Sequence, residues 1–384
     1  CKGVLAILLE AKNKNFKNVI IPSANIHEAE LIDGLNIYAF GKLSEVVDFI
    51  NKKKKVEKLQ AKSKFASSDR FSKDFRDIKG QETAKRAILI AVAGGHPILM
   101  VGSPGVGKSM LAERVPGIMP PLERDEIIES SLIHSISREM TDGKFTDTPP
   151  FRRPSVNISV PSLLGSGYPP TPGEITLAHR GVLFLEEINE MNRIAVDSLR
   201  VPLDRKCVCL NKRGEGFVYP ADFLLISCAN PCKCGYLYSR KKECTCTPGE
   251  ISAYKARLSG PISDRIDIHI CINEPDFDEL TVSDGMGSAE MRKKVLKVRK
   301  LQSKRYAREE FKLNSSIFDS KIVEYCSFDS DGEAFIKNAY KTLKLTPRSM
   351  VKIRKISRTI ADLDESKEIK LKHISEAIQF RQRW

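Results

Sequence analysis

The stretch ILMVGSPGVGKSMLAERV, Ile98 to Val115, leaves this chain few folds to choose from. An apolar run suited to a buried strand enters a glycine-rich turn, and a helical pattern follows at once. Gly102, Gly107, Lys108 and Ser109 have the spacing G-x-x-x-x-G-K-S. Through Ser103, Pro104, Gly105 and Val106 the backbone can curl around phosphate oxygens, and the following helix starts beneath them with its positive end. Lys108 would reach the outer phosphates, and the Ser109 hydroxyl would ligate magnesium. A strand before the loop and a helix after it predict a parallel α/β sheet.

Such a sheet calls for a second buried strand ending in acids, and GVLFLEEINEM supplies it with Glu186 and Glu187. Glu187 is the candidate that polarises the attacking water, and Glu186 takes the magnesium side. The usual acid there is Asp. The extra methylene of Glu moves the carboxylate by about 1.5 Å, which loss of an intervening water can absorb. An ordinary surface Glu stays open for Glu186. Three polar residues follow where a ring-forming ATPase needs them. Asn230 ends FLLISCAN beside the acids. Arg265, in SGPISDRIDIHI, fits an arginine offered to a neighbouring subunit's γ-phosphate. Arg348, in TPRSMVKIRKI, fits a sensor that closes a helical lid on the nucleotide. An isolated arginine is otherwise a surface ion pair.

Length sets the rest of the frame: 384 residues hold two or three domains. Residues 1–50 alternate helical and strand-like patterns and read as the end of a domain whose beginning is missing, since the chain starts at Cys1. Residues 51–69 carry seven lysines and read as a solvated linker. Residues 70–275 form the α/β core, and 276–384 turn helical. There Met291, Val295, Val298 and Leu301 recur at helical spacing among ten basic residues from Arg292 to Lys312, a solvated basic face rather than a DNA helix. The longest apolar stretch, Ala87 to Gly102, is broken by Gly94, Gly95, His96 and Pro97 and falls short of a bilayer span. A cytoplasmic location without membrane contact is expected. The formal charge of +14 favours a polyanionic partner.

Between the glycine loop and Glu187 lie 77 residues. The portion PFRRPSVNISVPSLLGSGYPPTPGE reads as an inserted loop. CVCLNKRGEGFVYPADF gives two β-like runs around a basic tip, Lys212 and Arg213. DNA contact and an ordinary exposed hairpin are both open, with DNA favoured in a ring. Five of ten cysteines crowd between Cys228 and Cys246. Cys232, Cys234, Cys244 and Cys246 form C-x-C, nine residues, C-x-C. Structural zinc is favoured over free thiols, although one intervening residue constrains each pair of sulfurs. Cys207, Cys209, Cys228, Cys271 and Cys326 read as strand or core residues.

The chain resembles the ComM/YifB family, the magnesium chelatase-like group of AAA+ ATPases, over essentially its whole length. The carrying motifs are DIKGQETAKRA, GSPGVGKS, PSLLGSG with PTPGEITLAHRGVLFLEE, CANPCKCGY, ECTCTPGEI, SGPISDRIDIHI and TPRSMVKIRKISRTIADL. The resemblance implies an α/β AAA+ P-loop core with a helical lid, preceded by the tail of a Lon-protease-like S5-type domain. It implies a ring, hexameric with ATP and Mg2+, that drives branch migration on single-stranded or branched DNA during natural transformation. By it, Asp77 to Arg86, with Gln81, lies over the adenine. Asn230 is sensor one, Arg265 the trans finger and Arg348 sensor two, while the inserted loop points toward the ring axis. The family usually has Asp-Glu where this chain has Glu186-Glu187. Two alternatives stay open: a chelatase-like motor remodelling a protein partner, and a nucleotide-binding assembly module with impaired hydrolysis.

Overall fold

The computed structural model describes residues 3–59, 73–137, 147–275 and 285–381, so 60–69 of the expected linker lie outside the described residues. Its strands are β1 (Asn18–Pro22), β2 (Asn36–Phe40), β3 (Ile98–Gly102), β4 (Phe151–Arg152), β5 (Gly165–Gly167), β6 (Pro170–Pro172), β7 (Val182–Leu185), β8 (Cys207–Lys212), β9 (Glu215–Pro220), β10 (Leu224–Ala229) and β11 (Ile268–Ile272). The main sheet is five-stranded, parallel throughout, in the order β11-β3-β10-β7-β4.

Both faces of this sheet are covered, which is why its strands read as unbroken apolar runs. Side chains alternate between two cores. Ile98 and Met100 join one with helix Glu82–Gly94 and the C-terminal helices. Leu99 and Val101 join the other with Leu163, Leu185, Leu199 and Ile262. The lid helices Ser288–Arg305 and Pro347–Leu363 therefore share a continuous core with the sheet. Helix Glu82–Gly94 ends on Gly94, where a Cβ would come within 2.5 Å of the Thr359 hydroxyl, so only glycine permits that approach to the lid.

The first fifty residues form helices Val4–Asn13 and Leu43–Ile50 with the parallel pair β1 and β2, as their patterning predicts. This unit packs through Leu5, Leu8 and Leu31 against Leu122 and Ile127 of the core. Arg124 to Asp33 at 3.1 Å and Ser135 Oγ to Glu28 at 3.0 Å add polar ties.

Three expectations need correcting. The supposed inserted loop contributes β4, the edge strand of the main sheet, then a short helix, Val160–Leu164, and the hairpin β5–β6. On helix Ser288–Arg305, Leu301 is exposed and Gln302 completes the buried stripe after Met291, Val295 and Val298. Its amide donates to Ala93 O at 2.9 Å and its carbonyl accepts from the Asn314 amide at 2.8 Å, so burial leaves neither end unpaired. The basic face is not all solvated either. Arg299 is half-buried and donates to Val92 O at 2.6 Å, with desolvation pulling its pKa down to about 10.

His269 on β11 is buried, and its pKa is pushed down to about 3 by that burial, with Arg381 adding repulsion. It is neutral when folded and binds a proton when unfolded, at pH below about 6.5. Its stabilisation is complete above pH 6.5 and is lost as pH falls toward 3, by about 1.4 kcal/mol per pH unit. Urea midpoints should therefore fall more steeply between pH 6.5 and 5 in the native chain than in His269→Gln. Equal slopes would refute the assignment.

Candidate active site

Parallel register brings three strand ends to one level. Met100 and Val101 of β3 pair with Cys228 and Ala229 of β10, and Ser227 pairs with Leu185 of β7. The glycine loop leaves β3, Asn230 follows β10, and Glu186 and Glu187 follow β7, so the three groups meet above the sheet. Gly105 and Gly107 take positive φ of 82° and 95°, the turn for which the sequence supplies glycine. Gly102 is packed so closely that a Cβ would lie 2.5 Å from Ile272 O.

Lys108 lies at the centre. Its ammonium donates to Gly102 O, to Ser103 O at 2.9 Å and to Asn230 Oδ1 at 3.1 Å. Burial lowers its pKa, while Glu187 and Glu186 push the other way. The Cys228 thiol beneath it is buried, which raises its pKa. Ser109 donates its hydroxyl hydrogen bond directly to Glu186 Oε1. Thus the longer acid reaches the predicted magnesium ligand without an intervening group. Glu187 is exposed, in a left-handed conformation with φ 49°, directly after the strand. For a non-glycine residue that conformation stores strain of a kind concentrated at functional sites.

Arg153, which the spacing of motifs did not reveal, completes this cluster. It donates to Glu186 Oε2 and, at 2.9 Å, to Glu113. Its neighbour Arg152 turns to Glu174 instead, at 2.7 Å, as alternation at a strand end requires. The only sequence hint was a pair of arginines within a stretch taken for a loop.

Gln81 lies elsewhere in the site. It adopts φ 60° and its amide donates to Asn273 O at 2.7 Å. It lines a cavity of about 520 Å³ with Thr83, Arg240, Asn273 and Glu274. No residue of the glycine loop lines this cavity, which is reached from β11 at Cys271 and Asn273, on the strand whose last residue pairs with Gly102.

Arg265 and Arg348 are brought together in a different cavity. Both line a separate cleft of about 850 Å³ that contains no residue of the glycine loop, nor Glu186, Glu187 or Asn230. Asp204 holds Arg265 at 2.9 Å, and Arg348 is exposed. Lys212 and Arg213 crown the hairpin β8–β9, with Arg213 and Gly214 at φ 52° and 83° in a tight two-residue turn. The Arg213 guanidinium stacks 4.5 Å from the Tyr168 ring, tying this hairpin to β5–β6. Tyr168 is a second residue the motifs did not reveal. Cys232, Cys234, Cys244 and Cys246 converge, all four sulfur atoms lying within 4.8 Å of one another. Of the remaining cysteines, Cys228 and Cys326 are buried, whereas Cys209 and Cys271 are exposed on their strands.

Sheet order, glycine loop and paired acids define a P-loop fold of the AAA+ class. The chain matches the family of magnesium chelatase subunit ChlI over residues 74–280 and that of the ChlI C-terminal region over 285–381. It is 36% identical over 384 residues to competence protein ComM of Haemophilus influenzae, covering 99% of this chain and 74% of that protein. It belongs to the ComM/YifB family of magnesium chelatase-like proteins. The uncharacterized protein YifB of Salmonella typhimurium is 35% identical over 367 residues, covering 95% of this chain and 71% of its own. Lon protease 2 of Bacillus subtilis is 30% identical over 170 residues, which cover 40% of this chain and 30% of that enzyme.

A cation entering between Ser109 and Glu186 must compete with the positive charge of Arg153. Arg153→Ala should accordingly lower, by several-fold, the Mg2+ concentration that half-saturates nucleotide binding. An unchanged or higher requirement would show that Arg153 does not oppose the metal.

Proposed function

We propose that this chain is an ATP-hydrolysing ring motor that acts on DNA, with ATP and Mg2+ as its cofactors and Zn2+ on the four cysteines. In this reading Lys108 and the loop from Gly102 to Gly107 hold the phosphates. Ser109 and Glu186 hold magnesium, Gln81 borders the base, and Glu187 activates water while Asn230 orients it. The separation of two arginines from the glycine loop carries the reading. Arg265 and Arg348 line one cleft that shares no residue with the phosphate cradle. In this reading each arginine serves a neighbour's nucleotide, and the catalytic unit is a ring of copies. Arg348 keeps the sensor role read from the sequence, exercised here on the neighbour's nucleotide.

DNA as the partner is supported by the charge of +14 and by the basic tip at Lys212 and Arg213, braced on Tyr168. Competence in the name of the Haemophilus influenzae relative points the same way, to helicase or branch-migration work on incoming DNA. The location is cytoplasmic in this reading. No helix among the described residues is long and apolar enough to cross a membrane. The chelatase family match favours a second reading, a motor remodelling a protein partner.

Steady-state ATP hydrolysis, with and without single-stranded or branched DNA, separates the readings. The motor reading expects DNA to raise turnover, and Glu187→Gln to lower it by roughly a hundredfold or more with nucleotide binding retained. DNA without effect would favour a protein partner. A silent native chain that Glu186→Asp revives would mark an assembly module.

A further inference from the structure

The cysteine loop is built into the wall of the nucleotide site. Between sulfur atoms the distances are 3.4 Å for Cys232 and Cys234, 3.7 Å for Cys232 and Cys244, and 3.6 Å for Cys234 and Cys244. The Cys234 amide donates to Cys246 Sγ at 3.4 Å. A tetrahedral site with Zn–S bonds of about 2.3 Å has sulfur–sulfur edges of about 3.8 Å. A disulfide would need about 2.05 Å. The spacing suits an ion and not a bridge.

What the knot holds is the more informative part. Gly235, at φ 86°, is pressed against the glycine loop: a Cβ there would fall 2.8 and 2.9 Å from Cδ and Cγ of Pro104. Further along the same span, Ser239 donates to Glu274 at 2.7 Å, and Arg240 lines the 520 Å³ cavity with Gln81. On the other side of the knot, Asn230 accepts from Lys108 two residues before Cys232. The loop thus touches the phosphate cradle at Pro104 and the Gln81 cavity at Arg240, and it follows directly on Asn230, the partner of Lys108. Few of its own side chains are buried: from 236 to 246 every residue is partly or fully exposed. Little apolar packing opposes the entropy of ordering it. A structural ion supplies the missing folding energy.

We infer that zinc at Cys232, Cys234, Cys244 and Cys246 cinches this loop against Pro104 and the base-side cavity, so that metal binding and nucleotide binding are coupled. The inference rests on the nucleotide reading of the glycine loop. Coupling between two sites is reciprocal, so ADP must also tighten equilibrium binding of the metal.

The test measures zinc per chain, the absorption spectrum after cobalt replacement, and affinity for a fluorescent ADP analogue. It compares the full chain loaded, the chain stripped by chelator, Cys244→Ser/Cys246→Ser, and Gly235→Ala. The expected result is one zinc per chain and a tetrahedral thiolate cobalt spectrum. Stripping, or the double serine change, should weaken ADP binding about tenfold. Gly235→Ala should keep its zinc and still weaken ADP binding, because it removes no sulfur ligand but disturbs the turn and its contact with Pro104. This separates coupling from a general loss of folding. Absence of zinc and cobalt binding overturns the inference, as does equal ADP affinity in loaded and stripped chains. If zinc is stoichiometric but no form binds ADP, the nucleotide reading itself has failed, and the coupling falls with it.

Discussion

Parallel register between β3, β10 and β7 is the constraint on which the site depends. Strands that run the same way and stop at the same level deliver their C-terminal residues to a common edge. One of these ends carries a glycine loop, one carries Asn230 and one carries two glutamates, so distant segments need no further device to meet. The register is fixed by burial on both faces, because a slip of one residue would exchange the two cores. Lys108, ringed by carbonyls, Asn230 and the two acids, is where the three ends are read together.

A second buried contact decides how the arginines are presented. Asp267, at the start of β11, is held by Lys352 at 2.6 Å and by His96 at 2.9 Å, and His96 bonds Thr359 at 2.8 Å. Burial works against ionisation of Asp267, but Lys352 and His96 hold its carboxyl well below the usual range. Removing one partner from such a buried pair costs about 3–5 kcal/mol. Asp267 lies two residues after Arg265, and Lys352 four residues after Arg348. The latch therefore fixes both arginines in one rigid body with the sheet, and the lid cannot swing without breaking it. In the proposed ring, a cleft holding two arginines and a phosphate cradle would make each chain half of two sites.

Local signals carried much of this. The glycine loop, the acid-tipped strand and the helix–strand alternation of the first fifty residues were readable because each is set by neighbours along the chain. Contacts across the fold were not. Arg153 reaches Glu186 only because an apparent loop forms an edge strand. Gln302 belongs to the core only because Ala93 and Asn314 satisfy its amide. Nothing near Arg348 in sequence says which face its helix turns toward. The packing of Gly235 on Pro104 is equally invisible, since glycine and proline suit any turn.

The central claim is that one nucleotide site is assembled from two chains. Arg265→Ala chains keep the phosphate cradle and lack the arginine, whereas Lys108→Ala chains lack the cradle and keep the arginine. Each should be inactive alone in ATP hydrolysis. Mixed and reassembled, they should regain a substantial fraction of native turnover, because some junctions then pair an intact cradle with an intact Arg265. If mixing restores nothing, or if Arg265→Ala alone hydrolyses ATP at the native rate, the split site is contradicted.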